Sequence, residues 1–185
     1  IFKDFLKDIS NRADDIRNKR VKPDQDNMLK ITTDGRKAAL DMRLVDLIFG
    51  RESDSKVMRC AENIADVYYD TRDTNSIQLV FCDISTPKEG FNLYDELKSL
   101  LIAMGIPGNK IAFIHEAENE RQKEELFKEL RKGEKSVLIG STFKTGHGVN
   151  IQERLVAMHH LDVPWRPADM VQREGRILRR GNTCK

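Results

Sequence analysis

From residue 54 onward the chain alternates two kinds of apolar spacing. Val57, Cys60, Ala61, Ile64, Ala65 and Tyr68 recur at intervals of three and four, which predicts an amphipathic helix with Asp54 or Ser55 as its cap. Ile77-Gln78-Leu79-Val80-Phe81-Cys82 is a short run rich in β-formers, closed by the breaker Ser85-Thr86-Pro87. A helical pattern over Leu93, Leu97, Leu100 and Leu101 follows it. The same unit recurs: Ile111-Ala112-Phe113-Ile114 precedes a charged helix from about Glu118 to Arg131, and Ser136-Val137-Leu138-Ile139-Gly140 precedes a glycine-containing turn. A fourth run, Leu155 to Leu161, ends before Asp162 and Pro164. Strands that alternate with helices predict an α/β fold, a parallel sheet covered by helices. In such sheets ligands gather beyond the carboxyl ends of the strands. That directs attention to residues 83–88, 115–119 and 140–152, and to everything after Asp162.

The first 55 residues read differently. They are polar, with short helical patches around a loop at Pro23-Asp24-Gln25-Asp26-Asn27, and form a lead-in segment (1–55) to the main domain (56–185). A chain of 185 residues with 39% apolar content builds one sizeable core. Charged residues reach 34% yet cancel to a net +2, so only their distribution speaks about partners. Cys60, Cys82 and Cys184 are odd in number and widely spaced, which argues against a disulfide framework or a zinc site and for a reducing cytoplasm. No apolar stretch approaches the ~20 residues that span a bilayer, so no membrane partner is expected. Opening on Ile1 without a Met, the chain is expected to be part of a longer polypeptide.

Two segments carry chemistry. In Gly140-Ser141-Thr142-Phe143-Lys144-Thr145-Gly146-His147-Gly148-Val149-Asn150, glycines allow close backbone approach while Ser141, Thr142 and Asn150 offer small polar groups suited to phosphate or ribose. A plain strand-to-helix turn fits the same residues. The second segment is sharper: Arg166, Arg173, Arg176, Arg179 and Arg180 crowd into fifteen residues, and planar guanidinium forks call for anions, phosphate first among them. If residues 169–180 are mostly helical, Gln172, Arg176 and Arg179 share one face and the two arginines converge on one triphosphate. A solvated basic face is the alternative.

Gln172-x-x-Gly175-Arg176-x-x-Arg179 resembles the arginine motif of superfamily 2 helicases. Asp162-Val163-Pro164-Trp165-Arg166-Pro167 is similar to the D-x-x-W-N-P stretch of Swi/Snf-type enzymes, and Ser141-Thr142 through Gly146-x-Gly148-x-Asn150 to their S-T-x-x-x-G-x-G-x-N motif. Leu79-Val80-Phe81 matches the strand that opens their second lobe. The resemblance, in order over residues 77–182, implies a RecA-like second lobe of the P-loop NTPase type, acting on DNA with ATP and Mg held mainly by an N-terminal lobe of the same polypeptide. It implies Arg176 and Arg179 as fingers on the γ-phosphate, Gly146, Gly148, Asn150 and Gln172 near the nucleotide, and Ser141, Thr142, Lys144 and Arg166 near the nucleic-acid backbone. Departures fall mainly on the DNA side: Phe143-Lys144 stands where Arg-Ala is usual, Thr145 replaces Gly, Arg166 replaces Asn, and Asn182 replaces a final Gln. Gly140-Ser141-Thr142, His159-His160-Leu161-Asp162 and Trp165-Arg166-Pro167 also resemble helicase regions of very large bacterial mobile-element proteins that carry an adenine-methylase module.

What is missing matters equally. No G-x-x-x-x-G-K-[ST] occurs, and Gly105 to Lys110 has the wrong spacing, so this chain alone is not expected to hydrolyse ATP. Asp83 ends a strand but Ile84 follows it where a catalytic Glu would stand, so Asp83 is expected to cap the following turn rather than hold magnesium. His159 and His160, adjacent in a strand, face opposite ways and do not chelate together, so no metal site is expected. A passive nucleic-acid-binding module is the rival reading. A dinucleotide-dependent enzyme lacks its G-x-G-x-x-G.

Overall fold

The computed structural model describes residues 2–51, 54–146 and 151–175. They fall into two compact units, 1–55 and 56–185.

In the first unit, helix α1 (Phe2–Arg17) and helix α2 (Met28–Leu40) are longer than the patches the sequence suggests. The apolar positions of α1 are spaced for a helix but none is buried, which is why its polar surroundings mask it. Asn27 caps α2 by accepting from the Lys30 amide, and Arg12 clamps the loop by donating to Asp26 at 2.7 Å and Asp34 at 3.1 Å.

The second unit runs α3 (Lys56–Thr71), β1 (Ile77–Phe81), α4 (Leu93–Ala103), β2 (Ile111–Phe113), α5 (Glu120–Lys132), β3 (Val137–Gly140), α6 (Thr142–Gly146), β4 (Leu155–His160) and α7 (Pro167–Glu174). Its four strands form one sheet in the order β2-β3-β1-β4, and every pair is parallel. The central strands β1 and β3 are buried along their whole length, as their apolar runs require. One face of β1, through Ile77, Leu79 and Phe81, packs with Leu126, Phe127 and Leu130 of α5 in a single apolar core. On the other face Gln78 donates to the Ile64 carbonyl of α3, and α3 lies against α4.

Helix ends obey local chemistry. Asn92 and Asn119 cap α4 and α5, and α5 stops at Gly133, whose φ of 77° is the left-handed conformation glycine adopts without strain. Lys110 then donates to the Gly133 carbonyl at 2.7 Å. β2 is one residue shorter than its apolar run, because Ile114 already opens a 3-10 turn.

Register is what positions the site. Phe81 of β1 pairs with Gly140 of β3 on one side and with His160 of β4 on the other, so three strands end flush. Asp83, Thr142 and Asp162 each stand two residues beyond that line. Residues two apart on a strand share a face, so the three converge above Phe81.

Candidate functional site

Arg173, at the last turn of α7, ties the three positions together. Its side chain is fully buried. Nε donates to the Thr142 hydroxyl at 2.7 Å, Nη2 to Asp83 Oδ2 at 2.7 Å and to Asp162 Oδ1 at 3.1 Å. Nη1 donates to the Asp162 carbonyl at 2.7 Å and, at 3.4 Å, to His160 Nδ1. These partners account for all five N–H groups of a guanidinium. Its plane also lies over the Phe81 ring, 4.9 Å from the centroid, while His160 stacks on that ring at 5.5 Å.

The two carboxylates exchange the roles local spacing suggests. Asp83 does not cap the turn that follows β1. Asp162 does, accepting from the Asp83 and Ile84 amides at 2.6 and 2.7 Å. Asp83 instead reaches across to the start of α6, where it accepts from the Thr142 amide at 2.6 Å and the Thr142 hydroxyl at 2.7 Å. The flush register brings the first amide of α6 within reach of Asp83.

Arg173 is a second correction. Grouped by sequence with the phosphate-seeking arginines, it meets internal carboxylates and has no donor left for a ligand. The sequence signal was present in Asp83 and Asp162, each two residues past a strand end, but neither neighbours Arg173 in the chain.

The structure places the other expected residues as follows. Ser141 is buried, and its hydroxyl accepts from the Lys144 amide at 3.3 Å while its carbonyl accepts from Thr145 at the amide and the hydroxyl. Gly140 admits this turn, since a Cβ there would meet Thr145 and, at 2.8 Å, Ile114. Gly146 closes α6. Lys144 is close enough to His115 to join burial in lowering that imidazole's pKa. Arg166 precedes α7 with a largely exposed side chain, 3.9 Å from Asp169. Gln172 is exposed on α7, one residue from the buried arginine. Gly148, Asn150, Arg176 and Arg179 lie outside the described residues, so the shared face expected of Gln172 and the two arginines does too.

The remaining reactive groups are quiet. Burial first, then the nearby Asp162 and Asp83 charges, pushes the Cys82 thiol up to about 12, so it is no nucleophile at neutral pH. Among the described residues no cluster of three metal-ligating side chains occurs, and no helix is long and apolar enough to cross a membrane. His159 and His160 face opposite ways: His159 meets Gln78 at 2.9 Å, whereas His160 lies over Phe81.

The family is now decided by sequence. The model of the helicase conserved C-terminal domain matches residues 55–181, well over half of the chain. The chain belongs to that family. Its parallel, helix-covered sheet is thus the RecA-like fold of a helicase C-terminal domain. No curated protein matches the chain. Among solved structures it is similar to the Pyrococcus furiosus Hef helicase domain, with a TM-score of 0.48 and 19% identity over 94% of this chain and 33% of that one. The chain therefore spans about a third of that structure.

In this helicase lobe His159 makes folding sensitive to acid. Burial, then the His160 charge, lowers its pKa from 6.5 to about 4, so the unfolded chain binds a proton that the folded one refuses between those values. The stability it contributes is complete above pH 6.5 and declines as pH falls toward 4, by up to about 3 kcal/mol. Urea midpoints at pH 7 and pH 4.5 should differ less for His159→Gln than for the parent chain. An equal difference in both would remove His159 as the cause.

Proposed function

We propose that this chain is the second motor lobe of an ATP-dependent DNA helicase or translocase of the Swi/Snf type, from a bacterial cytoplasmic protein related to mobile-element helicases with an adenine-methylase module. In this reading Arg176 and Arg179 reach the γ-phosphate of ATP held on an N-terminal RecA-like lobe of the same polypeptide. Gly146, Gly148, Asn150 and Gln172 border the nucleotide, and the Ser141–Lys144 turn with Arg166 follows the DNA backbone. The observation that supports it most is the anchoring of α7 by Arg173 at the carboxyl edge of the sheet, where open parallel sheets gather ligands.

The residues present suit a phosphate delivered by another lobe and do not suit a resident Mg site. Asp83 and Asp162, which lie together at the carboxyl edge, spend their oxygens on Arg173, Thr142 and backbone amides. Mg bound with ATP would neutralise charge on the phosphates. This chain's own contribution is donors: the Gln172 amide and the following arginines stabilise charge developing on the transferred phosphoryl group. Lys144 meets DNA phosphates as a point charge.

The test is ATP turnover by the full-length protein with and without DNA, beside DNA binding by this chain alone. Turnover should rise at least about tenfold with DNA, as the reading of a DNA-driven motor demands. Salt-dependent DNA binding by the chain, with no ATP turnover by the full-length protein, would favour the passive module and end this reading.

A further inference from the structure

The sequence motif puts Thr142 beside the nucleic-acid backbone, but its hydrogen bonds say otherwise. Phosphate oxygens are acceptors, so a residue must bring a donor to them. Thr142 has two donors, the amide and the hydroxyl, and both are given to Asp83, at 2.6 and 2.7 Å. The hydroxyl oxygen in turn accepts from Arg173 Nε at 2.7 Å. Every link in this chain is completed by another protein group: Asp83 Oδ2 also accepts from Arg173 Nη2, and Asp162 takes the same guanidinium while holding the turn after β1.

We infer that Thr142, Asp83, Asp162 and Arg173 form a latch of positioning residues that joins the α6 turn to α7, and that Thr142 acts through Arg173 rather than by touching nucleic acid. The inference rests on the helicase reading above, since it assigns the latch to passing DNA occupancy at the Ser141–Lys144 turn to the helix that carries Gln172. A guanidinium suits the task because its planar fork fixes direction as well as charge. Lysine in its place keeps the charge and loses the fork. The latch lies wholly within the sheet end: three strand ends supply the acceptors and α7 supplies the donor, so a shift of the turn would strain the bonds that hold α7.

The experiment uses the full-length protein with Thr142→Val, which keeps the branched shape and removes the hydroxyl, and Thr142→Ser, which restores it. Duplex DNA of fixed length is the probe, read by affinity at one fixed salt concentration and by ATP turnover. For Thr142→Val affinity for DNA should stay within about threefold, while DNA-stimulated kcat falls at least about tenfold with KM for ATP within about threefold. Thr142→Ser should recover most of the loss. Arg173→Lys and Asp83→Asn should reproduce the kcat loss with affinity for DNA equally unchanged, and they carry the test if the valine variant does not fold. A DNA affinity about tenfold or more weaker at the same salt, the loss of one hydrogen bond to a charged group, would make Thr142 a direct DNA ligand and overturn the inference. Unchanged kcat in all folded variants would overturn it as well. If the unaltered protein shows no DNA-stimulated turnover, the helicase reading itself falls and the latch's role with it, a result distinct from either of these.

Discussion

On the proposed reading, Arg179→Ala in the full-length protein is expected to lower DNA-stimulated ATP turnover about a thousandfold or more, equivalent to roughly 4 kcal/mol of transition-state stabilisation. The size follows from what an arginine finger does. Charge that spreads over the transferred phosphoryl oxygens is met by a fork already held in place, in a cleft from which water is excluded. The loss should fall on kcat, with KM for ATP changed little, because a contact made chiefly in the transition state leaves ground-state binding alone. Arg179→Lys should recover only a part, since a point charge does not reproduce two parallel N–H donors. Steady-state turnover over a range of ATP concentrations checks all of this, and unchanged kcat in Arg179→Ala would remove the finger role.

A comparable loss, in stability instead of rate, is expected from Arg173→Ala. Asp162 is 2% exposed at its side chain, and Asp83 is 31% exposed. Taking away the guanidinium leaves Asp162 with a buried charge whose remaining partners are the two turn amides. Breaking one partner of a buried pair costs about 3–5 kcal/mol, against well under 1 kcal/mol for an exposed pair such as Arg166 with Asp169. Arg166→Ala is therefore the natural control. Urea unfolding of the two variants should separate them by several kcal/mol, and equal midpoints would show that Arg173 carries no such load. A substitution that also removes the more buried acid, Arg173→Met with Asp162→Asn, should recover part of the loss, because it is the orphaned charge that is expensive.

Much of the sheet was legible because fully buried strands write themselves as apolar runs: β1 and β3 fall where Ile77 to Cys82 and Ser136 to Gly140 predict them. Helices α3 and α4 were legible from spacings of three and four and α5 as a charged segment, whereas the caps Asn92 and Asn119 that fix two of the starts emerge only in the structure. Arg173 was not. In a run of five arginines its side chain has no local mark that distinguishes it, and its carboxylate partners lie 90 and 11 residues away. Only strand register brings them together, and register depends on pairing between segments, which no single segment records. Asp83 was misassigned for the same reason: its nearest amides in sequence belong to the turn after β1, but the one it meets belongs to α6.

The equal two-residue spacers from Phe81 to Asp83, Gly140 to Thr142 and His160 to Asp162 act as a ruler. Their lengths, more than the identities of the residues inside them, set what this lobe tolerates. An insertion of one residue in any spacer would turn its polar group to the opposite side of the sheet and disconnect it from Arg173. An insertion in the loop between residues 86 and 91 would leave all three spacers intact. Variation in length should therefore accumulate in the longer connections and be excluded from three dipeptides, which makes spacer length a criterion for recognising the same latch in other parallel sheets.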